Sequence, residues 1–483
     1  QAVDAVPAWS DIDQEEGGVL AHADGEEWAA RTRVPTLILG AWQDQESGPW
    51  FTDLLDKYPS DTIVRLAAYN GTHEETRFPL AAAQWLEFLA FTVREELPVW
   101  PAAAARYLNE VTGYMFPEGL EVAFRHEGER TFEEARDTYL ASPPFTVWFD
   151  NGDAPGRPPG YPYAAFSVSL DRWQPPEARA ERWFLAPDHR LSRSRQGADG
   201  RPLGFHYDPS ARPRTSKGAL EDVNAPMAEY DWQPPAGGRG LQFATDPFER
   251  DALLLGTASV DLWLRSTAPD LDLEVVLSEV RPDGWETFVQ SGAIRASSRA
   301  LDELRSTELL PWLSFRRADV APLPEGEFAL VRVPIPAAGH YLRAGSSLGI
   351  TVTAAGGNQP HWELDALWPD GVDDRGAKVV VDVAIDDLMA SSVALPIVHR
   401  WVPRDGRPDR ELPPLNALRR QPNRRWRPAG LEIPAPPPEP EPKVPLEVRL
   451  KRTAPVRFAA RQKNRGLRLK QRAARAWVLA MRR

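Results

Sequence analysis

The 483 residues contain no cysteine, which removes disulfides, thiolate metal sites and a cysteine nucleophile together. No run of about 18 apolar residues occurs, so no membrane-spanning helix is expected. The phosphate-binding loop, the dinucleotide fingerprint and His-Glu-x-x-His are all missing, and no cofactor is expected. No Gly-x-Ser-x-Gly elbow is read, so the strained strand-to-helix turn that exposes a hydrolase serine is not expected in this chain; Ser346-Ser347, after Gly345, opens a β-strand instead. His340 and His361 lack a third partner of convincing spacing and read as core or loop histidines rather than metal ligands. The chain begins at Gln1 with neither Met nor a charged-then-apolar leader, so a fragment or processed product is expected. Its compartment stays open between secreted and cytoplasmic.

What is present is ample material for cores: 42% hydrophobic residues, including 18 Trp. The length calls for two or three domains. The net charge of −12 conceals opposed parts. Residues 1–400 hold 35 Lys and Arg against 62 Asp and Glu, whereas 401–483 hold 22 against 7. A body that acidic repels nucleic acid, and no specific nucleic-acid partner is expected.

The chain is organised around the stretch from Arg33 to His73. Thr36 to Leu39, bounded by Pro35 and Gly40, reads as a buried parallel strand, and Ile63 to Leu66 repeats the pattern. Between them Phe51, Leu54, Leu55 and Tyr58 share one face of a crossover helix. This is a βαβ unit, and in open α/β sheets working residues lie just past the carboxyl ends of strands. Asp44 and His73 both lie there. Two readings are open from spacing alone. A carboxylate could hold the imidazole in one tautomer so that it serves as a general base; or Asp44 caps the next helix and His73 is an ordinary loop residue.

Further along, Pro79 opens a helix expected to run from Leu80 to about Leu97, where Pro98 ends it. Residues 99–142 read as a connector, with Ala102 to Ala105 as a short helical piece. From about Pro143 short β-rich runs separated by Pro, Gly and Asp take over: 145–149, 182–185, 258–264, 273–277, 328–333 and 347–352. Strands at this density with long excursions suggest a jelly roll, with 190–240 as an outer loop. Beyond about Arg400 the pattern fades into the polyproline spacer Pro436 to Pro442 and a basic tail, which reads as a solvated arm.

The run Val34-Pro35-Thr36-Leu37-Ile38-Leu39-Gly40-Ala41-Trp42-Gln43-Asp44, with Asn70-Gly71-Thr72-His73, resembles the cocaine esterase and X-Pro dipeptidyl-peptidase (CocE/NonD) group of α/β-hydrolases. Ser266 to Asp272, Val280 to Gly284 and Tyr341 to Gly345 are similar to stretches of the group's β-domain. Gln43 stands where the group often has Tyr, and Tyr69-Asn70-Gly71-Thr72 replaces its common Gly-Pro-Trp. The resemblance implies an α/β plus all-β chain: 1–98 the last part of an α/β-hydrolase domain, 99–142 a connector, 143–400 a jelly-roll β-sandwich, and 401–483 a Pro-rich linker and basic tail. It implies that Asp44 and His73 are the acid and base of a Ser-Asp-His triad whose serine lies upstream of this chain. Substrates would be small esters, amides or peptides, X-Pro dipeptides among them, and this chain alone would be inactive. The alternative is a carbohydrate- or surface-binding β-sandwich without catalysis.

Overall fold

The computed structural model describes residues 25–44, 48–100, 124, 131–195, 201–211, 230–355, 367–404 and 411–427. All of these except 99 and 100 belong to one compact unit. The expected connector piece at Ala102–Ala105, His361, the polyproline spacer and the basic tail beyond it lie outside the described residues.

The first layer comprises α1 (Gly25–Arg31), β1 (Thr36–Ala41), β2 (Val64–Tyr69), α2 (Pro79–Leu89), α3 (Phe132–Ala141), β3 (Phe145–Phe149) and β4 (Phe166–Leu170). The four strands form one sheet in the order β1-β2-β3-β4. β1, β2 and β3 run parallel, and β4 returns antiparallel. The βαβ pairing read from sequence is therefore present, but its crossover is the 3₁₀ turn Pro49–Leu54 rather than an α-helix. Six residues entered through a proline give two tight turns before the chain reaches Pro59, too few for a lasting α-helix.

β3 joins this sheet and not the β-domain that was expected to begin at 143. All five of its residues are buried, as a strand covered on both faces requires. Behind it, Thr131 and Glu134 make a reciprocal capping box that starts α3 inside the supposed connector. At the other end of that helix the buried Arg65 of β2 donates to the Ser142 carbonyl at 2.8 Å and lies over the Tyr139 ring. α2 is shorter than its apolar pattern, passing through a π turn at Ala90–Arg94 and stopping at Glu95, whose φ is 55°.

The second layer is one large, mostly antiparallel sheet of twelve strands: β5 (Arg179–Leu185), β6 (Arg190–Ser192), β7 (Leu203–His206), β8 (Gly240–Thr245), β9 (Ala252–Ser266), β10 (Asp272–Val280), β11 (Trp285–Arg295), β12 (Ala329–Leu342), β13 (Ser347–Ala354), β14 (Val380–Val383), β15 (Ser392–Val398) and β16 (Asn423–Arg425). β6 and β7 fall where an outer loop was expected. Period-two alternation sends Ala258, Val260, Leu262 and Leu264 of β9 into one core shared with β10, β12 and β13. Along β12 a register shift between Ile335 and Ala338 changes which parity faces inward. A second core joins the two layers. Leu66, Ala68, Val147 and Phe149 of the small sheet meet Leu253, Leu255 and Tyr341 of the large one. The opposite face of the small sheet, Ala67 and Tyr69, packs on Ala81 of α2.

The folded body also extends past the expected boundary at 400. Residues 411–427 are packed into it: Ala417, Leu418, Arg419, Arg420, Gln421 and Arg424 are all buried, and β16 pairs with β11. Three of the basic residues that gave this segment the look of a solvated tail are paired with buried acids, Arg419 and Arg420 with Glu75 and Arg424 with Glu286. Among the described residues no helix is long and apolar enough to cross a membrane.

Candidate active site

β1 and β2 end side by side, with Ala41 opposite Tyr69, so the residues that follow each strand meet. The Trp42 amide donates to the Tyr69 carbonyl at 2.8 Å and the Gln43 amide to that of Gly71 at 3.1 Å. Asp44 follows in a turn, its amide donating to the Ala41 carbonyl. His73 opens the 3₁₀ turn His73–Arg77. The two predicted residues are thereby brought together: His73 Nδ1 lies 3.0 Å from Asp44 Oδ2. The next described element is the 3₁₀ turn Pro49–Leu54, whose N-cap is Gly48.

The Asp44 side chain is 8% exposed and that of His73 is 42% exposed. A carboxylate only accepts, so the pair places a proton on Nδ1 and leaves Nε2 as the basic nitrogen of the more accessible ring. This is the arrangement that lets an imidazole take a proton from a third group and return it.

The walls of the site come from both layers. Trp42 is fully buried, stacked between Phe51 and Trp173, and its carbonyl accepts from Gln290 Nε2 of β11 at 2.7 Å. Gln43 Nε2 donates to the Val289 carbonyl at 3.1 Å, one residue earlier in the same strand. Tyr69 packs beside Trp148. Burial, together with the negative charges of Glu75 and Asp44, holds its hydroxyl well above the usual tyrosine range, so it stays protonated.

Four residues of the site's surroundings were not foreseen. Glu75, two positions after His73, is fully buried. Its Oε2 accepts from Arg419 Nε at 2.8 Å, and its Oε1 accepts from Arg419 Nη2 at 2.9 Å and Arg420 Nε at 2.6 Å. Burial pushes this carboxyl up, but the two guanidinium charges outweigh it and leave the group below the usual range. Gln421 Oε1 accepts from Asn70 Nδ2 at 2.7 Å. The only sequence signal for this cluster was an acidic turn, Glu74-Glu75, that would need cations if buried.

Gly345-Ser346-Ser347-Leu348-Gly349 does spell Gly-x-Ser-x-Gly, and the structure places it in the large sheet. Gly345, with φ 91°, turns the chain into β13; no helix follows. The motif's serine, Ser347, is buried as the first residue of that strand, and Ser346 before it is fully buried and donates to Glu279 Oε1 at 2.6 Å. His340 is buried as expected for a core histidine, with Nε2 at 2.9 Å from Glu279 Oε2.

The fold and the pair define a protein with an α/β layer bearing an Asp–His dyad on a large β-domain. Residues 141–363 match the family model described as the X-Pro dipeptidyl-peptidase C-terminal non-catalytic domain. The likeness to that domain covers these 223 of the 483 residues, and Asp44 and His73 precede the matched stretch. No curated protein matches. Among solved structures, a CocE/NonD family hydrolase from Staphylococcus aureus is 16% identical with a TM-score of 0.46, over 77% of this chain and 55% of that one. An aminopeptidase from a marine sediment Thaumarchaeota archaeon is 14% identical with a TM-score of 0.47, over 77% and 57%. An α-amino acid ester hydrolase is 16% identical with a TM-score of 0.49, over 82% and 61%. The chain therefore spans little more than half the length of these structures.

Proposed function

We propose that this chain is the carboxy-terminal part of a serine hydrolase acting on esters or amides, with X-Pro dipeptides as one candidate substrate class. Asp44 is the acid and His73 the base of its Ser-Asp-His triad, and the serine lies upstream of these 483 residues. The observation that carries this reading is the 3.0 Å contact of His73 Nδ1 with Asp44 Oδ2 at the carboxyl ends of two adjacent parallel strands. In the reaction, the serine hydroxyl gives its proton to His73 Nε2 as its oxygen attacks the carbonyl. The imidazolium, stabilised by Asp44, returns that proton to the leaving group. The β-domain, in this reading a jelly roll, supports the dyad from below. A binding-module role would call for stacking platforms, and among the described residues no tryptophan of the large sheet is exposed.

The test is covalent labelling by a fluorophosphonate. The 483-residue chain is expected to give no adduct. The longer polypeptide that includes the upstream serine is expected to label there, with ester turnover falling about 10⁴-fold in Asp44→Asn. A serine adduct mapped within residues 1–483 overturns the proposal.

A further inference from the structure

His73 stands on a five-residue 3₁₀ turn and is half exposed, so its bond to Asp44 does not by itself fix where the ring sits. The loop around it is fixed from elsewhere. Three residues before His73, Asn70 is buried, and its amide donates to Gln421 Oε1. Two residues after, Glu75 is held by Arg419 and Arg420. Both anchors of the histidine turn thus bond to three consecutive side chains, 419–421.

That short segment is itself pinned on its far side. The Arg419 amide donates to the Asn151 carbonyl at 2.8 Å, and Asn151 Nδ2 donates to the Asn70 carbonyl at 2.6 Å. Gln421 Nε2 faces His340 Nδ1 at 3.2 Å, and the opposite nitrogen of His340 faces Glu279, which also accepts from Ser346. With Gln421 Nε2 donating, His340 Nδ1 accepts and its Nε2–H donates to Glu279. Every donor in the row Asn70, Gln421, His340, Glu279 then points the same way, toward a carboxylate buried in the large sheet. Downstream, residues 423–425 are a strand of that sheet.

We propose that residues 419–421 form a strap that sets the position of His73 relative to Asp44, with Arg419 and Gln421 as positioning residues; this rests on the reading of Asp44 and His73 as acid and base. A strap needed only for stability would be as well served by apolar side chains, since buried ion clusters are costly to desolvate. Directional bonds at both ends of one turn define geometry instead, and a displacement of about 1 Å in a catalytic group costs on the order of 10²-fold in rate. A segment that lies beyond the matched stretch 141–363 then has a defined task in the chemistry.

The experiment reads the imidazole directly, with the 483-residue chain labelled with ¹⁵N-histidine and the His73 resonances assigned by their disappearance in His73→Gln. The wild-type chain is expected to show a protected Nδ1–H. Gln421→Met keeps the packing but loses both amide bonds, and Arg419→Lys keeps the charge but loses the fork. Each is expected to fold and to lose the protected Nδ1–H signal. Retention of that signal with wild-type exchange in both variants, alongside a lower urea midpoint, overturns the strap as a positioning device and leaves it structural. If the variants do not fold, native-state exchange of the wild type decides. The Nδ1 proton is expected to share the opening of the Arg419 amide, and faster exchange than that amide overturns the proposal. Asp44→Ala separates the two layers of argument: an unchanged Nδ1–H there would sink the acid–base pair itself.

Discussion

Gln43 holds both backbone groups of Gly71: its amide donates to the Gly71 carbonyl, and its side-chain Oε1 accepts from the Gly71 amide at 3.0 Å. The side chain's other end donates to Val289 of β11. Gln43 is thus a three-way joint between the turn that carries Asp44, the loop that carries His73 and the β-domain. Gln43→Leu is expected to lower unfolding free energy by about 1–3 kcal/mol through unsatisfied buried groups, measured by urea denaturation. An unchanged midpoint would show that the joint carries no stability.

The Glu75 cluster makes an acid-side prediction. Its carboxyl lies below its ordinary value when folded, so the stabilisation is complete above the unfolded carboxylate range and is lost as pH falls through the lower folded value. Urea midpoints should therefore drop steeply below about pH 4. Arg419→Met, which leaves a buried ion partly unpaired, is expected to cost roughly 3–5 kcal/mol at pH 7, and that deficit should shrink in acid.

Asp53 makes the opposite one. Burial, with Glu26 and Asp56 nearby, raises its carboxyl to about 6 despite the Thr52 hydrogen bond. Stability from its neutral form is complete below the unfolded value and is lost as pH rises through about 6. Asp53→Asn should stabilise the chain by up to about 3 kcal/mol at pH 8 and scarcely at pH 4. Equal thermal shifts at the two pH values would refute this.

Gly152, at φ 112°, passes so close to the segment before the strap that a Cβ would stand 2.0 Å from the Ala417 carbonyl oxygen. Gly152→Ala combines this clash with a conformation that disfavours side chains. A loss of about 2–4 kcal/mol is expected, with faster proteolysis at 411–427 as the local readout.

The closeness of Asp44 and His73 was legible because each lies a few residues past a strand whose apolar run announces itself locally, and parallel pairing then brings neighbouring strand ends together. Phe51, Leu54, Leu55 and Tyr58 satisfy a helical period, but the regular turn that begins at Pro49 already ends at Leu54, before the last two of them. β3 was assigned to the wrong sheet because an apolar run such as Phe145 to Phe149 says that it is buried but not by what. Arg419, Arg420 and Gln421 were invisible for a different reason: a basic run reads as solvated until its counter-charge is known, and Glu75 is 344 positions away.

That separation has a temporal side. At synthesis rates of about 5–20 residues per second, the histidine turn would wait roughly 20–70 s for the arginines that neutralise Glu75. The histidine turn is made long before the segment that completes its surroundings. During that interval a cell would hold the α/β layer with an uncompensated carboxylate where the core should close, the stage at which chaperones or proteases would meet it.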